Sequence, residues 1–311
     1  MDKRAAIFPG QGSQKVGMGR DLYVSLDAAR AAFDEANEVL GFDIADICFH
    51  GPEEKLVQTR YTQPAILTHS VAAWRVISSK GFTPDYVAGH SVGEYSALVA
   101  AGVLSFADAL RLVRVRAEAM QSCGEENPGA MAAIIGMPEE NMEALLKGAA
   151  EAGTIEAANY NSPEQTVVSG EVRAVEKAVE IAPTVGAKRA IRLNVSGAFH
   201  SPLMRGSVSE LSGMLARVEF RPASIAVVFN ATGRPETEPD GMKELLERQL
   251  LSPVLWCQSI IYMTGDGVRD FVEVGPGNVL CGLLRRIDRD ANCTGCSDLK
   301  TVGEFLGGVA V

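Results

Sequence analysis

Apolar residues recur along this chain in two rhythms. Residues 5–8, 86–88, 225–229 and 271–274 are short apolar runs that read as strands, whereas 28–40, 62–80 and 105–120 carry apolar positions at helical spacing. Gly41 and Gly81 stop the first two helices, and Ser105 with Asp108 three residues on opens the third in the manner of a capping box. Strands alternating with helices predict a parallel sheet covered on both faces. The middle of the chain has a different order: a strand at 130–135, a helix opened by Pro138, strands at 155–159 and 165–168, a helix at 172–182 and a strand at 189–195. That β-α-β-β-α-β succession is ferredoxin-like. It predicts a small domain over 127–196 inserted into a larger α/β domain formed by 1–126 and 197–311, which resumes with a helix near Leu203.

Between the strand at 86–88 and a helix-like stretch at 94–101 stands Gly89-His90-Ser91-Val92-Gly93. Strand, Gly-x-Ser-x-Gly and helix in that order form a nucleophile elbow, a sharp turn that lifts the serine clear of the sheet. Ser91 is the candidate nucleophile; a Gly-rich connection with an incidental serine is the competing reading of the pentapeptide alone. A serine hydroxyl needs a base. Of the four histidines, His50 and His69 sit in apolar surroundings that favour structural roles, and His90 abuts the nucleophile on a turn, which suits a pocket wall. His200 lies in the loop where the insertion returns to the larger domain, a preferred place for a site. Position favours His200 over His90 without excluding the latter.

Composition narrows the class. With 311 residues, 47% hydrophobic and 22% charged, the chain fits a soluble globular enzyme. The start offers too short an apolar run for a signal peptide and nothing later approaches a membrane span, so a cytoplasmic protein is expected. A net charge of -10 argues against general nucleic-acid binding. The six cysteines are scattered, and reduced buried thiols are expected, with Cys293 and Cys296 an inert pair in a C-terminal loop and no metal site.

Six motifs then carry a resemblance: Phe8-Pro9-Gly10-Gln11-Gly12-Ser13-Gln14, residues 17–23, Thr62-Gln63-Pro64-Ala65, residues 89–97, Gly197-Ala198-Phe199-His200-Ser201 and residues 273–280. Their identity and order resemble those of malonyl-CoA:acyl carrier protein transacylases over nearly the whole chain. The resemblance implies an α/β-hydrolase-like parallel-sheet domain with a ferredoxin-like insertion. It implies an enzyme without a cofactor that serves fatty-acid synthesis by moving malonyl from malonyl-CoA to acyl carrier protein. A discrete malonyl acyltransferase of a polyketide synthase shares every motif; a serine hydrolase or thioesterase would account for Ser91 and His200 but not for the N-terminal motif or Arg116.

Residue by residue, the resemblance implies Ser91 as nucleophile and His200 as base, with backbone N–H groups of Gln11 and Val92 as the oxyanion hole and the backbone carbonyl of Gln249 orienting His200. No role is expected of the Gln249 side chain. Arg116 matches the family arginine that pairs with the malonyl carboxylate, Gln63 a glutamine near the same group, and Asn159 is a weaker pocket candidate. Arg111 and Arg114, on the same helix, read as solvated charges. Phe199, an aromatic residue directly before the histidine, goes with malonyl rather than methylmalonyl. Docking an acidic carrier protein on an acidic enzyme requires a local positive patch. Lys188, Arg189, Arg192, Arg285 and Arg286 are its candidates, on a chain expected to act as a monomer.

Overall fold

The computed structural model describes residues 3–195 and 197–307, so Ser196, where the insertion was expected to end, and the tail at 308–311 lie outside the described residues. Two sheets organise them. The larger is built from β1 (Lys3–Phe8), β2 (Tyr86–Gly89), β7 (Ala226–Phe229), β8 (Arg234–Glu236), β9 (Val268–Val274) and β10 (Asn292–Cys296), in the order β10-β9-β1-β2-β7-β8. All its pairings are parallel except β7 with β8. The central strands are buried apolar runs because helices cover both faces, one side packing Phe8, Val87 and Phe229, the other Ile7, Ala88 and Val228.

The smaller sheet is antiparallel, in the order β4-β5-β3-β6, formed by β3 (Gly129–Ile135), β4 (Ile155–Ser162), β5 (Gln165–Glu171) and β6 (Arg189–Arg192). Strand alternation divides its side chains. Ala130, Ala132, Ile134 and Val168 face the helices Met142–Ala149 and Val172–Ile181, while Met131, Ala133 and Val167 join the core of the larger unit. The mixed α/β architecture with separate parallel and antiparallel sheets is the one the order of elements predicted.

Local chemistry sets the helix limits. Ser105 caps the helix Phe106–Glu126, its side chain accepting the Asp108 N–H at 3.0 Å. This helix outruns its expected end by six residues and stops two before Pro128, because Gln121 and Cys123, polar or ambiguous in sequence, are buried on it. The helix Thr59–Ser79 starts three residues earlier than expected. The helix expected after Pro138 begins only at Met142, following a single 3-10 turn.

The thiol expectation is corrected. Cys281 and Cys293 form a disulfide that ties the helix Val279–Ile287 to β10, their Cα atoms 5.4 Å apart. Cys293 and Cys296 do not pair, and they occupy a strand rather than a loop. Three residues apart on a strand, they point to opposite faces, Cys293 toward one core and Cys296 into the other. Cys48, Cys123, Cys257 and Cys296 are free and buried.

Candidate active site

The C-terminal ends of the parallel strands deliver the site. Phe8 pairs with Gly89, so the loop after β1 and the turn after β2 leave the sheet side by side, and His90 N–H donates to Phe8 O at 2.9 Å. The turn is tight. A Cβ on Gly89 would lie 1.9 Å from the Gly93 carbonyl carbon, and one on Gly93 would lie 2.2 Å from Phe8 O, so glycine is required at both. Between them Ser91 adopts φ 53°, a left-handed conformation that a residue with a Cβ rarely takes. The helix Gly93–Ala100 follows at once.

His200, also left-handed at φ 57°, is buried with its Nε2 2.8 Å from Ser91 Oγ. Its Nδ1 lies 2.8 Å from the Gln249 backbone carbonyl. A carbonyl only accepts, so the ring proton sits on Nδ1 and the Nε2 lone pair faces the serine hydroxyl. Burial, reinforced by the nearby Arg116 charge, lowers the His200 pKa to about 3, so the imidazole is neutral at ordinary pH. His90, by contrast, uses Nε2 on Asn161 Oδ1 at 2.8 Å and packs against Trp256. It is a wall of the pocket.

Arg116 is 1% exposed, on the inward face of its helix. One terminal nitrogen donates to Gln63 Oε1 at 2.6 Å; the other donates to Gln249 Oε1 at 2.9 Å and to Ser91 Oγ at 3.1 Å. Among the described residues Nε has no hydrogen-bond partner and no carboxylate forms an ion pair with this guanidinium. The acid that faces it through space is Glu94, fully buried, whose carboxyl burial pushes up to about 8. A buried guanidinium with no carboxylate in hydrogen-bonding contact carries a desolvation cost that neutral side-chain oxygens offset only in part. Arg111 and Arg114 are surface charges, paired with Asp108 and Glu118.

Gln11, Gln63, Val92, Asn159 and Phe199 line the same cleft as Ser91 and His200. The backbone N–H groups of Gln11 and Val92 have no protein acceptor among the described residues. The Gln249 side chain, for which the sequence suggested nothing, bonds Arg116 and donates to the Ser91 carbonyl at 3.1 Å. Sequence reasoning also missed Asn161, Glu94 and Asn230, the last bonded to the Ser91 N–H at 2.7 Å. A signal for Asn230 existed: it follows the apolar run of β7 directly, as the elbow follows β2.

The positive residues separate. Lys188, Arg189 and Arg192 are exposed on or beside β6, and Arg192 pairs with Glu176 at 3.0 Å. Arg285 and Arg286 are exposed in the last turn of the helix Val279–Ile287, whose Val279, Leu280 and Leu283 line the cleft.

A serine–histidine pair on a nucleophile elbow, above a parallel sheet and beside a buried guanidinium, defines an α/β acyltransferase site. The chain belongs to the malonyl CoA-acyl carrier protein transacylases of the acyl transferase domain family, whose model matches residues 6–304. It is 44% identical over 303 residues to the malonyl CoA-acyl carrier protein transacylase of Bacillus subtilis, covering 97% of this chain and 96% of that one. The solved transacylase of Coxiella burnetii superposes with a TM-score of 0.95 at 38% identity, over 98% of this chain and 97% of the other. A malonyl-transacylase solved in complex with a type II PKS acyl-carrier protein also gives 0.95, at 40% identity over 98% of this chain and 99% of that one. No helix among the described residues is long and apolar enough to cross a membrane.

Proposed function

We propose that this chain transfers malonyl from malonyl-CoA to the phosphopantetheine thiol of acyl carrier protein through a malonyl ester on Ser91. The Ser91 hydroxyl gives its proton to His200 Nε2 as Oγ attacks the thioester carbon; the C–S bond then breaks and His200 returns the proton to the CoA sulfur. The second half repeats the sequence with the carrier thiol attacking the ester, so the enzyme ends unchanged. The N–H groups of Gln11 and Val92 hold the oxyanion in each half. Gln249 orients His200 through its carbonyl, and its side chain, bonded to Arg116, joins the base to the substrate-binding group.

The observation that carries this reading is the buried, carboxylate-free Arg116 touching the Ser91 hydroxyl. A guanidinium fork matches the free carboxylate of malonate in a bidentate pair and places the thioester end at Oγ. Gln63 holds Arg116 in place, and Asn159 and Phe199 line the same cleft, where the aromatic bulk of Phe199 beside His200 would crowd a methyl branch and so favours malonyl. Radiolabelled malonyl-CoA supplied with and without carrier protein tests it. Label should rest on the enzyme alone and pass to the carrier when present; release as free malonate at the same rate would make the protein a hydrolase. The likeness to a transacylase solved with a type II PKS acyl-carrier protein supports a polyketide carrier as a second acceptor.

The state of His200 gives a pH test. An ordinary imidazole, with a pKa near 6.5, loses its base form on acidification through that value. Here the folded-state value is lowered to about 3, so acidification leaves the base intact. Single-turnover acylation is therefore expected to stay level from about pH 7 down to about pH 5. A decline of about 25-fold over that span, centred near 6.5, would show that His200 is solvated and titrates normally.

Carrier docking is assigned first to Arg285 and Arg286, which share a helix with the cleft-lining Leu280 and Leu283. Lys188, Arg189 and Arg192 form a secondary patch, Arg192 being already paired. Reversing Arg285 and Arg286 to glutamate is expected to slow transfer to the carrier by about tenfold or more at low salt, with acylation from malonyl-CoA nearly intact and the deficit shrinking as salt is added. Equal damage to both half-reactions would move the docking surface elsewhere.

A further inference from the structure

The left-handed backbone of Ser91 is held by a brace that none of the roles above uses. Asn230, the first residue past β7, is fully buried and spends its side chain on both shoulders of the elbow. Its Oδ1 accepts the Ser91 N–H at 2.7 Å and its Nδ2 donates to the Gly89 carbonyl at 2.6 Å. The brace is itself anchored. The backbone N–H of Asn230 donates to Glu94 Oε2 at 2.6 Å, and Glu94 stands in the first turn of the helix that the elbow opens. Gln249 adds a third tie, from its Nε2 to the Ser91 carbonyl.

The choice of side chain follows from the two shoulders. One presents a donor and the other an acceptor, and a carboxamide supplies the complement of both. Aspartate would set an oxygen against the Gly89 carbonyl; alanine would leave a buried N–H and a buried C=O unsatisfied. A conformation that a residue with a Cβ adopts only reluctantly persists where its surroundings over-determine it, and here the residue after β7 and the end of the helix Pro239–Gln249 both tie down the turn that follows β2.

We propose that Asn230 is a positioning residue for acyl transfer, fixing the elbow so that Ser91 Oγ stays aligned with His200 Nε2 and the Val92 N–H stays turned to the cleft, with Glu94 anchoring Asn230 in turn. This rests on Ser91 being the nucleophile. A merely structural role would lower the fraction of folded enzyme without changing how fast each folded site reacts. A positioning role slows the reaction at every site.

Rapid mixing with malonyl-CoA over a range of concentrations, with the malonyl adduct on Ser91 counted by mass spectrometry, separates the two. Asn230→Ala is expected to reach the full adduct amplitude per folded protein with a rate constant lower by about 100-fold, a loss typical of a reacting group displaced by an ångström, while half-saturation stays within about threefold. Asn230→Asp, of the same shape, keeps the bond to the Ser91 N–H but repels the Gly89 carbonyl, and is expected to fall between Asn230→Ala and the parent; it carries the test if the alanine variant does not fold. Parental rate constants at reduced amplitude, or a loss confined to half-saturation, would overturn the proposal. Absence of any adduct in the parent enzyme would overturn the nucleophile assignment and this inference with it, an outcome distinct from both.

Discussion

Ser91→Ala is expected to abolish the malonyl adduct and to lower transfer by a factor on the order of 10⁶, the scale seen when the nucleophile of a serine enzyme is removed. Among the described residues no other hydroxyl is bonded to His200 Nε2. The oxygen 2.8 Å from His200 Nε2 and 3.1 Å from the Arg116 guanidinium belongs to Ser91, and the turn that raises it tolerates no longer side chain at Gly89 or Gly93. His200→Ala leaves the hydroxyl and both candidate oxyanion donors in place, so the adduct should still form, but slower by about 10²- to 10⁴-fold. His90→Ala should do far less, because that ring is committed to Asn161. Mass spectrometry of each variant after incubation with malonyl-CoA reads all three. An adduct of undiminished yield in Ser91→Ala would displace the nucleophile to another residue, and a larger loss in His90→Ala than in His200→Ala would exchange the two histidines.

What was legible in the sequence was whatever local chemistry dictates. The elbow announced itself because a strand-to-helix turn that tight needs glycine at fixed offsets, and both glycines meet backbone where a Cβ would stand. Helix limits were legible where a cap wrote them: Ser105 and Gly41 fall where expected, whereas the far end of Phe106–Glu126 was hidden by polar residues that pack inward. The helix period also separates the arginines. Arg114 and Arg116 are turned roughly 200° from one another, so one must face in when the other faces out. Sequence alone shows the opposition, and the partners Asp108 and Glu118 show which face is wet.

The rest depends on proximity between distant segments. Asn230 reaches Ser91 across 139 positions and Gln249 reaches it across 158. Gln249, at a helix end, looks in sequence like an ordinary capping residue, and the place of Asn230 directly after an apolar run marks a strand end without showing what its side chain meets. The disulfide was missed for the same reason: the near neighbour of Cys293 in sequence lies on the opposite face of the strand, and its partner comes from the helix before β10. Glu94 was passed over because a glutamate opening a helix is normally solvated, and only the fold shows this one enclosed under β7 with its carboxyl raised to about 8.

Arg116→Ala offers the sharpest separation of substrates. Removing one member of a desolvated charge pair costs about 2 to 5 kcal/mol, so malonyl transfer is expected to fall by roughly 30- to several-thousand-fold. Acetyl-CoA brings no carboxylate into the cleft and should keep most of its slow rate. Some loss common to both thioesters is expected, because Arg116 also holds Gln63 and the Gln249 side chain, and Gln249 in turn orients His200. The ratio of the two rates cancels that shared part, and it should move against malonyl by roughly 30-fold or more. Arg116→Lys should recover little of it: an ammonium cannot form the two parallel bonds of the guanidinium fork, nor reach Gln63, Gln249 and Ser91 together. If malonyl and acetyl activity fell in equal proportion, Arg116 would be a scaffold for Gln249 alone, and the site would be a general acyl-serine centre with no built preference for a dicarboxylic half-thioester.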